Sequence, residues 1–376
     1  MPSPPPPPQE VEVGTRLLEV GRHLQWMEET ADGTTDSATA MHELLDRQGY
    51  MLLRKLIPRE AVLAGCRCIA ETLAANGWLA PDRDPELLEL GEAPPPNGGF
   101  MLQASEQDVL MDAQSVRRVL AGPELNGLFG VLFGEDPATF AFKWFRAMCP
   151  GQSSGFHVDN VYMGKGSTRV YSVWVPWHDV DIDRGGLVVL EQSNSHVAYA
   201  RLRETYGSHD YQHSRIDTGV GNTVANSGWY TRDPAELLAL HPEGCWRTAQ
   251  HYEAGDVVIF PMQTMHGTVA NTTCTPALLR LSCDIRFQPL SDAVDPRYGI
   301  MGSGDDTPWD RADFARRGAA FAAAAPLHVP MKSLADAKRE WGLEREPLAS
   351  IRQAPARAWP PVPWRAGNES APSAAL

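Results

Sequence analysis

Leu278-Leu279-Arg280-Leu281-Ser282-Cys283-Asp284-Ile285-Arg286-Phe287 alternates without a break. A period of two sends Leu279, Leu281, Cys283, Ile285 and Phe287 to one face and Arg280, Ser282, Asp284 and Arg286 to the other, which predicts a strand of an antiparallel sheet. Taken alone, this is a sheet with one face in water. Working outward, the stretch Gly255-Asp256-Val257-Val258-Ile259-Phe260-Pro261 reads as an apolar strand ending at a proline, and a second short strand after it carries His266. Further upstream, Gly155-Phe156-His157-Val158-Asp159-Asn160-Val161-Tyr162-Met163 also alternates. Read as a strand, it puts His157 and Asp159 on one face and Phe156 and Val158 on the other.

The chain has 11 histidines, so His-x-acid matches arise by accident. His241-Pro242-Glu243 is turn chemistry, because proline and the following Gly244 interrupt any ladder. His251-Tyr252-Glu253 runs from a strand end into a turn. His157-Val158-Asp159 alone fits a polar surface strand equally well. What separates it from the other two is the His266 strand and the Arg280-Leu281-Ser282 strand that follow. Two imidazoles and one carboxylate are the ligand set that holds Fe(II) on one face and leaves positions open for oxygen and a co-substrate. An arginine on a nearby strand can grip a carboxylate with two parallel N–H bonds, and a serine two residues on adds a donor. His178 and His196 are not taken as ligands: His178 sits among bulky strand residues, and Ser195-His196 reads as a turn.

In this order and spacing the chain resembles the phytanoyl-CoA dioxygenase family. The resemblance starts near Gly49-Tyr50-Met51-Leu52-Leu53-Arg54 and runs through Lys143-Trp144-Phe145-Arg146, His157-Val158-Asp159, Val173-Trp174-Val175-Pro176 and Gly185-Gly186-Leu187-Val188-Val189-Leu190. It closes on His266-Gly267 and Arg280-Leu281-Ser282, covering roughly residues 40 to 300. It implies a mainly β fold with flanking helices, a double-stranded β-helix or jelly-roll barrel. It further implies Fe(II), 2-oxoglutarate and O2 as the reacting partners. His157, Asp159 and His266 match the family's iron ligands. Arg280 matches the arginine on the distal carboxylate of 2-oxoglutarate, with Ser282 beside it, and Ser172 matches a position that contacts the co-substrate. Asp159 is a carboxylate where related halogenases carry a small residue, which favours hydroxylation. Arg280 comes 14 residues after His266, further than usual in the family. A longer turn over Asn271-Thr272-Thr273-Cys274-Thr275-Pro276 accounts for that. Arg286, six residues beyond Arg280 at about 3.3 Å of strand rise each, is expected about 20 Å further along and outside the site.

Composition excludes several other classes. A net charge of −14 without basic clusters argues against nucleic acid and anionic membranes as partners. No apolar run approaches the length of a membrane span. The six cysteines form no C-x-x-C pair and are expected to be reduced thiols, which places the protein inside the cell, in the cytoplasm. One feature points elsewhere: Arg16-Leu17-Leu18-Glu19-Val20-Gly21-Arg22-His23-Leu24 looks like an N-terminal peroxisomal import signal. The competing expectation for that stretch is an amphipathic helix with Leu17, Val20, Leu24 and Met27 on one side.

The expected organisation is a Pro-rich disordered tail over 1–13, one jelly-roll domain over 14–345, and a Pro/Ala-rich disordered tail over 346–376. Helices are expected over 36–48, 58–76, 106–134 with a break at Gly122-Pro123, 309–325 and 332–341. Strands are expected over 50–54, 138–191 and 246–288. An insertion over 197–245 interrupts the barrel and is rich in aromatic and histidine residues. Read as a lid, it chooses the substrate; read as a surface excursion, it has its own small core. The functional expectation is a hydroxylase acting on a small molecule or acyl group. The alternative is a jelly-roll module that binds a metal or ligand without turnover. A metal-dependent barrel enzyme without 2-oxoglutarate is disfavoured by Arg280 and Ser282 together.

Overall fold

The alternating stretch is the long strand Arg280–Pro289, the hub of the largest sheet. The computed structural model describes residues 8–91, 102, 104–217, 228–324 and 330–355. Across the larger sheet the strands run Ile300–Gly302, Pro137–Phe140, Arg280–Pro289, Tyr171–Pro176, Val257–Pro261 and Met51–Leu53, with Trp144–Met148 also paired to the long strand. The smaller sheet runs His266–Thr268, Leu187–Leu190, Trp246–Thr248 and Leu24–Trp26. Two mainly antiparallel sheets facing one another, with helices on the outside, make the jelly-roll barrel.

Both faces of the long strand are buried, so its alternation does not divide core from solvent. Leu279, Leu281, Cys283, Ile285 and Phe287 join the core that the larger sheet shares with the helices Ala38–Gln48, Arg59–Ala75, Gln114–Leu120 and Pro123–Phe133. Arg280, Ser282 and Arg286 face the barrel interior, and all three are buried. The same parity holds elsewhere. Val173 and Val175 pack outward against the helices, while Trp174 packs inward with Leu187, Val189, Val258 and Phe260. Val188 and Leu190, on the back of the smaller sheet, belong to a third core with Phe156, Val158 and Trp246. Each strand residue therefore chooses between two buried environments, one of them polar.

The helices start and stop where the local chemistry places them. Ser37 caps the first, its hydroxyl accepting from the Ala40 N–H at 3.3 Å, and Gly49 at φ 85° ends it. Pro123 opens the helix after Gly122, as the sequence predicts. A second break at Ala113 separates Ala104–Asp112 from Gln114–Leu120. Helices Arg311–Ala323 and Leu334–Glu340 fall within their predicted ranges. Among the described residues, no helix is long and apolar enough to cross a membrane.

Both ends differ from the sequence reading. Glu10–Val13 pairs antiparallel with Arg16–Glu19, and Leu24–Trp26 lies parallel to Trp246–Thr248, so neither a tail over 8–13 nor a helix over 17–27 exists. Val11, Val13, Leu18 and Leu24 are buried. The helical spacing of Leu17, Val20, Leu24 and Met27 lost to a local strand pairing with Glu10–Val13 and, for Leu24–Trp26, to a partner more than 200 residues away. Arg16, which opens the signal-like nonapeptide, is forked onto Asp233, with Nε 2.9 Å from Oδ1 and Nη2 2.6 Å from Oδ2. At the other end, Ile351 is buried, Leu17 N–H donates to the Arg352 carbonyl and Ala354 N–H to that of Thr15. The fold thus continues through at least Ala354. The polyproline start and the stretch after 355 lie outside the described residues.

Candidate functional site

His157 and His266 are brought together by backbone. Each N–H donates to the other's carbonyl, at 3.0 and 2.9 Å, forming an antiparallel bridge between otherwise separate segments. On its other edge Phe156 pairs with Thr231. The expected strand stops there. Asp159 has helical φ and ψ, its carbonyl accepts from the N–H groups of Tyr162 and Met163, and Asn160–Met163 is one helical turn. The alternation seen in the sequence was misleading because every one of Gly155 to Asp159 is buried. Asp159 reaches the same side as His157 by this turn, and not by the strand period.

The three candidate ligands converge, and all are buried: their donor atoms lie within 4.8 Å of one another. His157 Nδ1 lies 2.9 Å from the Gly155 carbonyl, and His266 Nδ1 lies 2.9 Å from the Thr264 carbonyl. A carbonyl only accepts, so both Nδ1 atoms carry the proton and both Nε2 lone pairs are free. Each Nε2 stands 3.7 Å from Asp159 Oδ1. Metal–nitrogen and metal–oxygen bonds are about 2.1 Å long, so donors at this separation can share one ion. Burial pushes the His157 imidazole down to about 3, and burial also lowers that of His266, so both stay neutral and ready to ligate. Burial alone would raise the Asp159 carboxyl. The charge of Arg286, then the two histidines and the Ser172 hydrogen bond, outweigh it and hold the group well below the usual carboxylate range. Two neutral imidazoles and one carboxylate form the donor set that suits Fe(II).

Arg280 lies buried on the interior face of the long strand. It is 1 % exposed, its Nη1 donates to Ser282 Oγ at 2.8 Å, and its Nε and Nη2 are buried with no protein partner. Burial pulls its pKa down to about 10, with only a partial offset from Asp284. A buried guanidinium with two unused donors is costly unless an anion completes it. A carboxylate of 2-oxoglutarate is chemically suited to those two donors, so the residues present fit the co-substrate as well as the metal. The turn that delivers Arg280 is built by Asn271, whose carboxamide donates to the carbonyls of Met148 (3.0 Å) and Leu278 (2.8 Å). That accounts for the long spacing after His266.

Two placements differ from the sequence reading. Ser172 donates its hydroxyl to Asp159 Oδ2 and thus steadies that carboxylate in place of reaching outward to the co-substrate. Arg286 was expected far from the site, yet its Nη2 is 2.8 Å from Asp159 Oδ2. The error came from counting backbone rise and ignoring where a long side chain leans. Arg286 and Ser172 are cross-strand partners, and both hold Oδ2, leaving Oδ1 turned toward the histidines. Sequence reasoning also missed Trp144, whose ring lies under the Arg286 guanidinium at 4.2 Å. The one available signal was that Arg280 and Arg286 share a strand face.

The described part of the 197–245 insertion packs directly behind the His157–Asp159 segment and not on a remote side. Tyr199, Leu202, Tyr206, Tyr230, Leu237 and Leu238 share a core with Phe156, Val158 and Val161. Gly155 has no room for a side chain, because a Cβ there would meet the Trp229 ring at 2.4 Å. Tyr211 touches Tyr162 edge-on at 5.1 Å, and Tyr162 touches His157 at 5.4 Å. Within the insertion, Gly219 and Gly221 lie outside the described residues. Gly228 holds φ 77° against the Tyr162 ring.

The model of the phytanoyl-CoA dioxygenase (PhyH) family matches residues 45–277. The 1-deoxypentalenic acid 11-beta-hydroxylase of Streptomyces arenae is 22 % identical over 298 residues, 73 % of this chain and 93 % of that protein. Its counterpart from Streptomyces exfoliatus is 22 % identical over 268 residues, 68 % and 83 % of the two chains. Among solved structures, EctD from S. alaskensis in its apo form aligns with a TM-score of 0.46 and 17 % identity, covering 88 % of this chain and 98 % of that one.

Proposed function

Because the chain belongs to the phytanoyl-CoA dioxygenase family of Fe(II)- and 2-oxoglutarate-dependent oxygenases, we propose that it hydroxylates an unactivated C–H bond of a small-molecule or acyl substrate, with release of succinate and CO2. The observation that carries the proposal is the pairing of two features in one barrel: three donors converging at His157, Asp159 and His266, and two donors on the buried Arg280 without a protein partner. The similarity to enzymes named as hydroxylases of a small organic acid supports it.

When bound, Fe(II) and 2-oxoglutarate together activate O2 and supply an oxidant that can take hydrogen from a C–H bond. The protein's part is positioning. Gly155 and Thr264 carbonyls lock the two imidazoles in the ligating tautomer. Ser172 and Arg286 hold one oxygen of Asp159 and leave the other for the ion. Ser282 turns the Arg280 fork, and Trp174 lies 5.9 Å from the Arg280 guanidinium carbon, walling the charge from water. The cores on both sides of the barrel keep this arrangement dry, so its charges act at full strength.

The direct test incubates the protein aerobically with Fe(II) and 2-oxoglutarate, supplies a metabolite extract, and follows succinate. Succinate above the extract-free rate, together with a product 16 mass units heavier than its precursor (one added oxygen), is the expected outcome. Binding of 2-oxoglutarate with no extract-stimulated turnover across varied extracts would favour a non-catalytic sensor.

We assign substrate selection to the insertion, because it sets Tyr211 edge-on against Tyr162 beside His157. Removing the whole segment would strip the core behind His157, so a point change is the cleaner probe. Tyr211→Ala should leave 2-oxoglutarate binding intact and lower the ratio of product to succinate several-fold, a coupling defect. An unchanged ratio across substrates would end that assignment.

A further inference from the structure

A cavity of about 400 Å³ lies between the largest sheet and the helices outside it. Small-molecule sites run from about 300 to 1,000 Å³. Lys143 and Phe145 line it from the sheet, Val116 and Leu120 from the helix Gln114–Leu120, and Phe314 from the helix Arg311–Ala323. Phe145 and its cross-strand partner Cys283 belong to the core shared with the helices, so the cavity stands on that side of the sheet and not in the barrel. None of the three candidate metal ligands lines it, nor does Arg280 or Arg286.

Its outer wall is held by hydrogen bonds. Trp309 donates its backbone N–H to Asp112 Oδ1 at 2.9 Å and its indole N–H to Asp108 Oδ1 at 2.7 Å. Arg117 donates to the Asp305 carbonyl at 2.8 Å and to Asp306 Oδ1 at 3.1 Å. Asp305 accepts from Thr307, Asp310 caps the helix through the Asp313 N–H, and Asp313 accepts from Arg317. The charged groups around the mouth are thus engaged with one another.

Lys143 is the exception. It is 6 % exposed, and its ammonium donates to Thr139 Oγ1 at 2.6 Å and to the Phe140 carbonyl. Both acceptors are neutral. Among the described residues the third N–H meets no acceptor, and no carboxylate comes within ion-pair distance. Burying an ammonium without a counter-charge is costly, and an apolar side chain of the same length would avoid that cost. Burial pulls Lys143 down to about 7; Arg117 and Arg286 push the same way, and Cys283 opposes them.

We propose that this cavity is a second ligand site, taking a small monocarboxylic acid whose apolar body lies against Phe145, Tyr298 and Phe314 and whose carboxylate accepts from Lys143. The charge of the occupant follows from the ammonium that lacks an acid. The apolar body follows from the rings and from Val116 and Leu120 around it. A single acid follows from the mouth, where the remaining charges already have partners. With the sheet between it and the metal position, the site holds its acid without reacting it, and its occupancy is independent of turnover.

The test is calorimetric titration of the Co(II)- and 2-oxoglutarate-loaded protein, in which the barrel site is filled, with 4-phenylbutanoate and its neutral counterpart 4-phenylbutan-1-ol. At pH 6 the wild type should bind the acid at least tenfold more tightly than the alcohol, as a charged hydrogen bond in a dry site requires. The ammonium is present below about 7 and lost above it, so affinity for the acid should fall as pH rises from 6 to 9 while that for the alcohol stays flat. The Cys283 thiol is pushed well up by burial and Asp305 and Asp313 are held low, so none of them titrates in that window. Lys143→Met should bind the two probes equally at every pH; Lys143→Gln serves if the methionine variant does not fold. Equal affinities in the wild type, binding of neither probe, or an acid preference that ignores pH would each overturn the proposal. So would a preference that survives in Lys143→Met, which would move the acid to another site and leave Lys143 a tie between Thr139 and Phe140.

Discussion

His157→Ala will abolish Fe(II)-dependent succinate formation while the metal-free protein keeps its fold. Losing a group that merely supports a ligand typically costs 10–100-fold in metal affinity or activity. Losing the ligand itself should cost on the order of a thousandfold or more. The fold survives because what joins His157 to His266 is backbone: the two reciprocal N–H to carbonyl bonds do not involve the imidazole. What disappears is the Nδ1 contact to the Gly155 carbonyl, a loss of about 1 kcal/mol for a hydrogen bond of this kind. A second loss is the ring contact with Tyr162. The measurements are Co(II) or Fe(II) binding, succinate yield, and thermal unfolding of the metal-free protein. Turnover within tenfold of wild type would remove His157 from the ligand set. Collapse of the fold would show that the imidazole is structural, and His266→Ala would then be the variant that decides the metal question.

The fold was legible in the sequence wherever a signal was local. Ser37, Gly49, Gly122 and Pro123 announce helix ends, and the strict alternation from Leu279 to Phe287 announces a strand. Alternation did not say what lay on each side. A jelly roll buries both faces of its strands, so Arg280 and Leu281 are both inside, one in a polar barrel and the other under helices. The strand Leu24–Trp26 was invisible for a different reason: it pairs with Trp246–Thr248, a partner no window along the chain contains. The candidate ligands were readable from residue type and order. The turn that brings Asp159 to the two histidines was not, because it is hidden in a uniformly buried stretch. Arg286 was missed because a strand position fixes where Cα lies and leaves open where a guanidinium at the end of a flexible stem comes to rest.

Arg280→Lys should raise the KM for 2-oxoglutarate about tenfold or more, since a charged hydrogen bond lost from a buried pair is worth about 1.5–3 kcal/mol, with a smaller effect on kcat. The substitution is not conservative at this position. Arg280 presents a planar fork, steadied on one side by Ser282 Oγ, with Nε and Nη2 left over. A lysine ammonium is a point donor on a shorter reach and cannot make two parallel bonds to a carboxylate. Charge matters as much as shape. Burial already pulls Arg280 down to about 10, and it still remains protonated at neutral pH. The same burial acting on a lysine, whose ordinary pKa is about 10.4, brings it toward neutrality. The sign follows: a depressed folded-state pKa means the cation is lost as pH rises through it. The KM of Arg280→Lys should therefore climb between neutral and mildly alkaline pH, where that of the wild type stays flat. Steady-state kinetics at two or three pH values, with 2-oxoglutarate varied and substrate saturating, measures both effects at once. A pH-independent rise would mean the lost fork alone is responsible. A KM equal to wild type across the range would show that no carboxylate meets Arg280, leaving its two buried donors without an explanation in the co-substrate.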